Sequence, residues 1–431
     1  MKRPTLFLLV GLAACGSDAP SPDEVRARIA TDLVAVANTA EASRADGASL
    51  PDSTQFAVFQ STFSQLSSRI PTQMFTEDLP DMEMNDPFDG AAAAKWLNEN
   101  LFTNANHAGD GIYNVPASFA CESDEGIDPE CAQAFAKIQL RIRVTENDDV
   151  LRLALQLGPN HDEPLEVGLS ATLLSLTIDL DEAEDAVKSL AGKLGGEVPE
   201  LSLSGEATVK LEVTGAAAVK VSLDIDRDIA VAFEDTTFSS KAAHVASLAL
   251  DGAAKSMDLV VGLGETKAHV PDDFEGTFDL DLPGLSAAAH FAEGQPLAIT
   301  NISLGARTTT LKIDGQTALS FDLNPNDGRK LDAQISGDTL TVTPRLDLRT
   351  TVNHTVLGDD APVYDVTRVL LDGGLRAKAD ESIEALGGFS IETNPASYGF
   401  SAAAGQCVRG TETYDPTRDD YYTTWAVGTC N

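Results

Sequence analysis

The chain has 431 residues, of which 67 are acidic and 30 are basic, so its formal net charge at pH 7 is −37. A field of that sign repels nucleic acid and anionic membrane surfaces, which excludes both as partners of the folded surface, and it favours cationic ligands or divalent ions. Hydrophobic residues make up 43% of the chain, which excludes wholesale disorder. The length exceeds the roughly 250–300 residues that one hydrophobic core serves, and this predicts two domains.

The first fifteen residues have the features of an export signal. Lys2 and Arg3 precede a short apolar run over residues 6–12, and two alanines then lead to Cys15. The run is too short to span a bilayer as a helix, which takes about 20 apolar residues. No later apolar run approaches that length. We therefore expect a signal peptide over residues 1–14 and no transmembrane helix after it.

The four residues Leu12-Ala13-Ala14-Cys15 resemble the lipobox of bacterial lipoproteins. The resemblance implies that a lipid is attached to Cys15 and that Cys15 becomes the first residue of the mature chain. Gly16, where an aspartate would retain the protein at the inner membrane, implies sorting to the outer membrane. Several acyl chains on one residue anchor a protein stably, because each buried CH₂ contributes about 0.8 kcal/mol. The expected location is the cell envelope, facing the periplasm or the cell surface, with residues 15–21 as a lipidated tether.

Residues 22–135 are predicted to be mostly helical. Residues 21–24, Ser-Pro-Asp-Glu, form a capping box with proline at the first helical position, and the apolar spacing continues the helix to about Ala42. A second helix is predicted from about Asp52, where apolar residues recur at helical spacing through Ile70. A shorter helix is predicted over residues 91–101.

Four cysteines remain after Cys15, and an even number in an exported protein predicts disulfides. They fall into two sequence-local couples, Cys121 with Cys131 and Cys407 with Cys430. Four cysteines can pair in three ways, and we favour the pairing in which each cysteine bonds to the other member of its couple. Each bridge stabilises the fold by on the order of 2–4 kcal/mol. No C-x-x-C is present, which argues against a thioredoxin-like site or a zinc ribbon.

From residue 136 to residue 431 the apolar period becomes two, which predicts a long antiparallel β-domain. The clearest hairpin runs from Ala207 to Ile225, and a single strand is predicted over residues 165–180. One inserted helix is expected over residues 181–194. A disulfide between Cys407 and Cys430 is expected to cross-link the C-terminus. The fold class expected is mainly β with a helical N-terminal region, its antiparallel sheets forming a sandwich or a curled half-barrel.

One segment of this domain offers oxygen ligands at the spacing of a calcium loop. The candidate ligands are Asp322, Asn324, Asn326 and Asp327. The segment departs from the EF-hand pattern, because Gly328 comes one place late and Ala333 stands where a glutamate is expected. A turn between two strands accounts for the same residues without a metal. Apart from this calcium candidate, the sequence predicts no cofactor.

The sequence contains no recognisable catalytic motif. None of the six histidines lies at H-E-x-x-H or H-x-H spacing, and no G-x-S-x-G, S-x-x-K or phosphate-binding glycine loop occurs. The favoured interpretation is a non-catalytic structural or binding module of the envelope, with another envelope protein as its partner. The alternative is a carrier that holds a lipid or another hydrophobic molecule in a curved sheet. An enzyme whose site is assembled from distant acidic residues is the third hypothesis.

Overall fold

A computed structural model shows a mainly antiparallel β fold with an N-terminal helix, which confirms the fold class. The structure describes residues 19–47, 89–123, 126–127, 129–194, 200–271, 277–326, 328–357, 365–380, 382–394, 399–415 and 420–430. The predicted second helix over residues 52–70 lies outside these ranges, as does Cys15.

The helices are concentrated in the N-terminal third. They are α1 (Pro22–Arg28), a π-helical turn (Ile29–Leu33), α2 (Val34–Gly47), α3 (Gly90–Asn100), α4 (Ser118–Cys121), α5 (Pro129–Ile138), α6 (Leu180–Leu194) and α7 (His354–Leu357). The predicted capping box starts α1: Glu24 N–H donates to the Ser21 hydroxyl, and Ser21 N–H donates to the Glu24 carboxylate at 2.7 Å. α6 is the inserted helix predicted from residue 181.

Twenty-seven strands are described. They are β1 (His107–Gly109), β2 (Ile112–Asn114), β3 (Glu122–Ser123), β4 (Gly126–Ile127), β5 (Arg141–Asn147), β6 (Val150–Leu157), β7 (Asp162–Ser170), β8 (Leu173–Asp179), β9 (Leu201–Gly215), β10 (Ala218–Phe233), β11 (Thr236–Ser240), β12 (Ala243–Asp251), β13 (Ser256–Leu263), β14 (Thr266–Val270), β15 (Phe278–Leu282), β16 (Leu285–Ala292), β17 (Leu297–Leu304), β18 (Thr309–Ile313), β19 (Gln316–Leu323), β20 (Lys330–Ser336), β21 (Thr339–Val352), β22 (Asp365–Ala377), β23 (Ile383–Ala385), β24 (Phe389–Asn394), β25 (Phe400–Ala402), β26 (Gln406–Asp415) and β27 (Asp420–Thr429). All but β3 and β4 belong to one sheet.

The region over residues 165–180 differs from the prediction. It holds two strands, β7 and β8, paired as a hairpin around Ala171-Thr172. Both strands are rich in leucine, and the turn has neither glycine nor proline, so the alternation looks continuous in the sequence. The turn is instead supported by the Ser170 hydroxyl, which accepts a hydrogen bond from Thr172 N–H at 3.3 Å.

Between β10 and β21 the sheet divides into two rows of strands. The first half of β10 pairs with β12 and its second half pairs with β11. The first row continues through β13, β16, β17 and β20, and the second row continues through β14, β15, β18 and β19. Both rows rejoin on β21. The chain therefore crosses from one row to the other at bends within β10 and β21 and at the connections between successive strands, such as β13 and β14.

The line of bends, which we call the fold line, depends on glycine. A Cβ atom at Gly305 would collide with the carbonyl oxygen of Pro283, and one at Gly264 with the carbonyl oxygen of Lys241. Neighbouring strands come this close only where one of them has no side chain. Ion pairs lie beside the same line, including Arg307 with Glu265 at 2.6 Å.

The apolar sides of the two rows face each other at the C-terminal end. Here β23, β26 and β27 continue the first row, and β24 and β25 continue the second. Phe400 on β25 contacts Phe389 edge to face and Trp425 on β27 at a tilt, with ring centroids 4.8 and 4.7 Å apart. The core buried between the rows includes Ile383, Val408 and Phe389. The inner side of the folded sheet is therefore its apolar side.

A second core fills the N-terminal end of the sheet. Val25, Ile29 and Leu33 of the helix pack with apolar residues of β5–β8, such as Leu151 and Leu169. Because β2 pairs with β5, the N-terminal region joins the sheet of the β-domain directly. Both predicted disulfides are present, Cys121–Cys131 and Cys407–Cys430, with Cα–Cα distances of 5.5 and 4.9 Å.

Candidate functional site

Between the two cores, α2 packs against β9, β10 and β12 of the first row, and apolar side chains on the inner side of these and the neighbouring strands stay partly exposed. Three neighbouring strands carry exposed apolar residues side by side: Leu176 on β8, Val209 on β9 and Leu223 on β10. These residues are 36%, 43% and 36% exposed. The line continues through Ala246 and Val261 on β12 and β13. Strand residues in a closed core are almost fully buried, so the residues that the structure describes leave these side chains partly uncovered.

The second row presents a matching apolar wall. Phe233, Phe238, Val270 and Phe278 lie on β10, β11, β14 and β15 and are 40–48% exposed. Val270 and Phe278 are cross-strand partners. Four phenylalanine and valine side chains at this exposure form a patch of the kind that marks a binding surface.

We call the inner side of the sheet that carries these two sets of exposed apolar residues the inner groove. It is lined on the first row by Leu176, Val209, Val221, Leu223, Leu259, Val261 and Leu285, and on the second row by Phe233, Phe238, Val270 and Phe278. On the first row it crosses six strands, from β8 to β16, which is a length of roughly 24 Å at about 4.8 Å per strand. Four alanines on its walls leave space that larger side chains would fill, namely Ala246, Ala268, Ala287 and Ala289.

The second-row strand ends at the fold line carry hydroxyl groups on the same inner side. Ser240 and Thr266 are 2% and 3% exposed, and their hydroxyls are hydrogen bonded to each other at 3.0 Å. Thr309 is 3% exposed, and its hydroxyl has no hydrogen-bond partner among the described residues. Short hydroxyl side chains therefore occupy buried inner positions along the fold line.

The outer side of the sheet is polar and carries three histidine–aspartate couples across adjacent strands. In each, histidine Nδ1 lies 2.6 Å from an aspartate oxygen: His244 with Asp224, His269 with Asp279, and His290 with Asp258. His269 and Asp279 also line a shallow outer depression of about 580 Å³, between Lys267 and Lys312.

One couple extends to a serine in the order of a hydrolytic triad. His244 Nε2 lies 2.9 Å from the Ser247 hydroxyl. Burial raises the pKa of Asp224, but hydrogen bonding to His244 and the charges of His244 and Lys210 outweigh it, so the pKa is lowered overall. Ser247 is only 6% exposed. Since the other two couples repeat the geometry, and none of the contacts described for Ser247 aims a donor at an oxyanion, we interpret the network as cross-strand pairing of charges.

Two of the four predicted calcium ligands are engaged by protein groups. Asp322 Oδ1 lies 2.6 Å from Arg329 Nη1. Asn324 is fully buried, and its Oδ1 accepts a hydrogen bond from Asp347 N–H at 2.6 Å. Asn326 lies in the same loop, and Asp327 is outside the described residues. Within the described part of the chain, no three His, Cys, Asp or Glu side chains are grouped as a metal site. Calcium binding stays a prediction.

The same loop packs beside a buried carboxylate. Asp347 is 1% exposed and binds Arg368 through both oxygens, at 2.8 and 2.9 Å, and Arg349 Nη2 at 3.0 Å. Hydrogen bonding to Arg368 lowers the pKa of Asp347 most, burial opposes this, and Arg349 lowers it further, to about 2. The network ties β21 to β22 beside the C-terminal core.

The sequence pattern alone did not reveal the groove. Alternation identified the inward side chains of β9 and β10, but it carries no signal for which of them are covered. Among the helices that the structure describes, none has the length and apolar character to traverse a bilayer. Comparisons of the chain with protein-family models, with curated proteins and with solved structures found no match.

Proposed function

We propose that this chain is a lipid-anchored protein of the outer membrane that binds an acyl chain of a lipid in the inner groove. The observation that carries the proposal is the pair of exposed apolar walls between two closed cores. Attachment through Cys15 and sorting through Gly16 rest on the lipobox resemblance. This function combines the predicted binding module with the predicted hydrophobic carrier, and it assigns no catalytic residue.

The dimensions of the groove favour an acyl chain as its occupant. Its length of roughly 24 Å exceeds the depth of one leaflet, about half of a 30 Å hydrocarbon core. Its lining residues are aliphatic and aromatic, and the polar groups at its base are short hydroxyls. Binding pockets for small hydrophobic molecules have this composition, with few polar groups.

Chemical analysis of the purified protein tests the proposal. The chain is expressed with its native signal, extracted with organic solvent, and the extract is examined by mass spectrometry for lipid beyond that attached to Cys15. Binding of a fluorescent fatty acid to the delipidated protein is then titrated. We expect co-purified lipid and saturable probe binding. Absence of both would refute the proposal.

A pair of variants locates the site. Leu223→Glu places a charge in the groove, and because Leu223 is already 36% exposed, we expect its cost to stability to remain within about 1 kcal/mol. Probe affinity is expected to fall at least tenfold, since a carboxylate must then be desolvated or exclude the chain. Lys220→Glu, on the outer side of the same strand, is the matched control. Equal losses in both variants would contradict a site in the groove.

A further inference from the structure

The free edges of the sheet are unequally protected. β1 and β25 are edge strands of three residues each. The edge of β9 over residues 201–205 is covered by α6, where Leu203 N–H donates to Glu184 and Gly205 N–H donates to Asp181 at 3.4 Å. Short edges and covered edges are two ways in which proteins avoid unwanted strand pairing.

β27 has neither form of protection. It pairs with β26 through ten successive residues without a bulge, and in the described part of the chain no strand pairs with its other edge. Residues 421–431 contain no charged residue and no proline, in a protein of which 23% is charged. β26, by contrast, carries Arg409, Glu412 and Asp415. The long edge of β27 thus lacks the lysine, proline and bulge that blunt exposed edges.

The edge is held in a pairing-competent form. The Cys407–Cys430 disulfide ties the end of β27 to β26, and Trp425 packs against Phe400 in the core. Residues on both sides of the strand remain accessible, namely Ala426 on the outer side and Val427 on the side of Trp425, the latter 37% exposed. A fixed strand loses little conformational freedom when it pairs.

We propose that β27 docks against β27 of a second copy of this chain, in antiparallel register about a twofold axis. An antiparallel strand is complementary to itself, which suits the isologous contact of a C₂ dimer. Two copies of net charge −37 repel each other over most of their surfaces, whereas residues 421–429 of β27 carry no charge and can pair without opposing like charges. This edge is therefore the place where charge permits two copies to meet. Repulsion elsewhere is screened over about 8 Å at 0.15 M salt, so association strengthens as salt rises.

Sedimentation of the chain from Gly16 onward tests the proposal without lipid or ligand. The measurement covers about 1–200 μM protein at low and at 0.5 M salt, and we expect a reversible dimer with a Kd on the order of 1–100 μM, as for small interfaces. Ala426→Lys, on the edge strand, is expected to raise the Kd at least tenfold. Thr411→Lys adds the same charge on the neighbouring strand β26 and is expected to change it less than threefold.

Circular dichroism confirms that both variants fold. A monomer at every concentration and salt, or equal weakening by Thr411→Lys and Ala426→Lys, would overturn the proposal. Hydrogen exchange gives a second readout, because amides of β27 become more protected as protein concentration rises only if this strand forms the contact.

Discussion

Replacing Asp347 by asparagine removes the buried carboxylate that binds Arg368 and Arg349. The pKa of Asp347 lies at about 2 against an ordinary value of 3.8, because the arginine hydrogen bonds outweigh burial. At 1.36 kcal/mol per pH unit, the shift corresponds to folding free energy on the order of 2 kcal/mol at neutral pH. Since the folded-state pKa is the lower one, this stabilisation is fully present above about pH 4 and is lost as pH falls towards 2.

Urea unfolding of the wild type and of Asp347→Asn at pH 7 and pH 3 measures the effect. We expect the variant to be less stable by about 2 kcal/mol at pH 7 and by roughly half of that at pH 3, where the unfolded carboxyl is already largely protonated. Asp338→Asn, in the exposed turn before β21, is the control and is expected to change stability by less than about 0.5 kcal/mol. A difference that is absent at pH 7, or equal at both pH values, would refute the assigned role.

The fold line and the proposed lipid attachment give two further predictions. Gly305→Ala is expected to lower stability by more than about 1 kcal/mol in thermal unfolding, because the new Cβ meets the Pro283 carbonyl oxygen. Gly192→Ala in α6 is the control: a Cβ there has open space, so the variant is expected to be neutral or stabilising. Equal effects of the two variants would contradict the steric explanation. Cys15→Ser is expected to abolish incorporation of labelled palmitate and to leave the signal peptide uncleaved, and a lipidated variant would contradict the lipobox assignment.

Sequence periodicity predicted which consecutive strands pair with each other better than it predicted how the strands divide into two rows. The alternation from Ala207 to Ile225 identified β9 and β10 as a hairpin. This works because successive side chains within one strand point to opposite faces of the sheet, whatever the strand pairs with. The bends at Gly264 and Gly305 look like ordinary strand ends in the sequence. Which strands become neighbours across the bends is decided by pairing between residues far apart, as between β13 and β16. A single sequence carries no direct signal for such pairs.

The calcium segment shows a second reason why the sequence alone does not determine the site. A loop rich in Asp and Asn satisfies either a metal or the protein's own donors, and the pattern of residue types is the same. In the structure Asp322 faces Arg329, and Asn324 serves the backbone of Asp347. Arg329 does not stand at a ligand position of the calcium pattern, and Asp347 lies beyond the segment. The spacing of the ligand positions could therefore not have indicated either donor.

Side-chain size explains why the inner groove is open while the C-terminal end is closed. At the closed end Phe389, Phe400 and Trp425 fill the space between the rows. In the groove, the inward positions between exposed valines and leucines include Ala287 and Ala289. Protein interiors pack to about 0.74 of their volume, and alanine side chains at these positions fill less space than the phenylalanine and tryptophan side chains of the closed end. The groove therefore gains most from an added apolar chain, which is the physical basis of the proposed function.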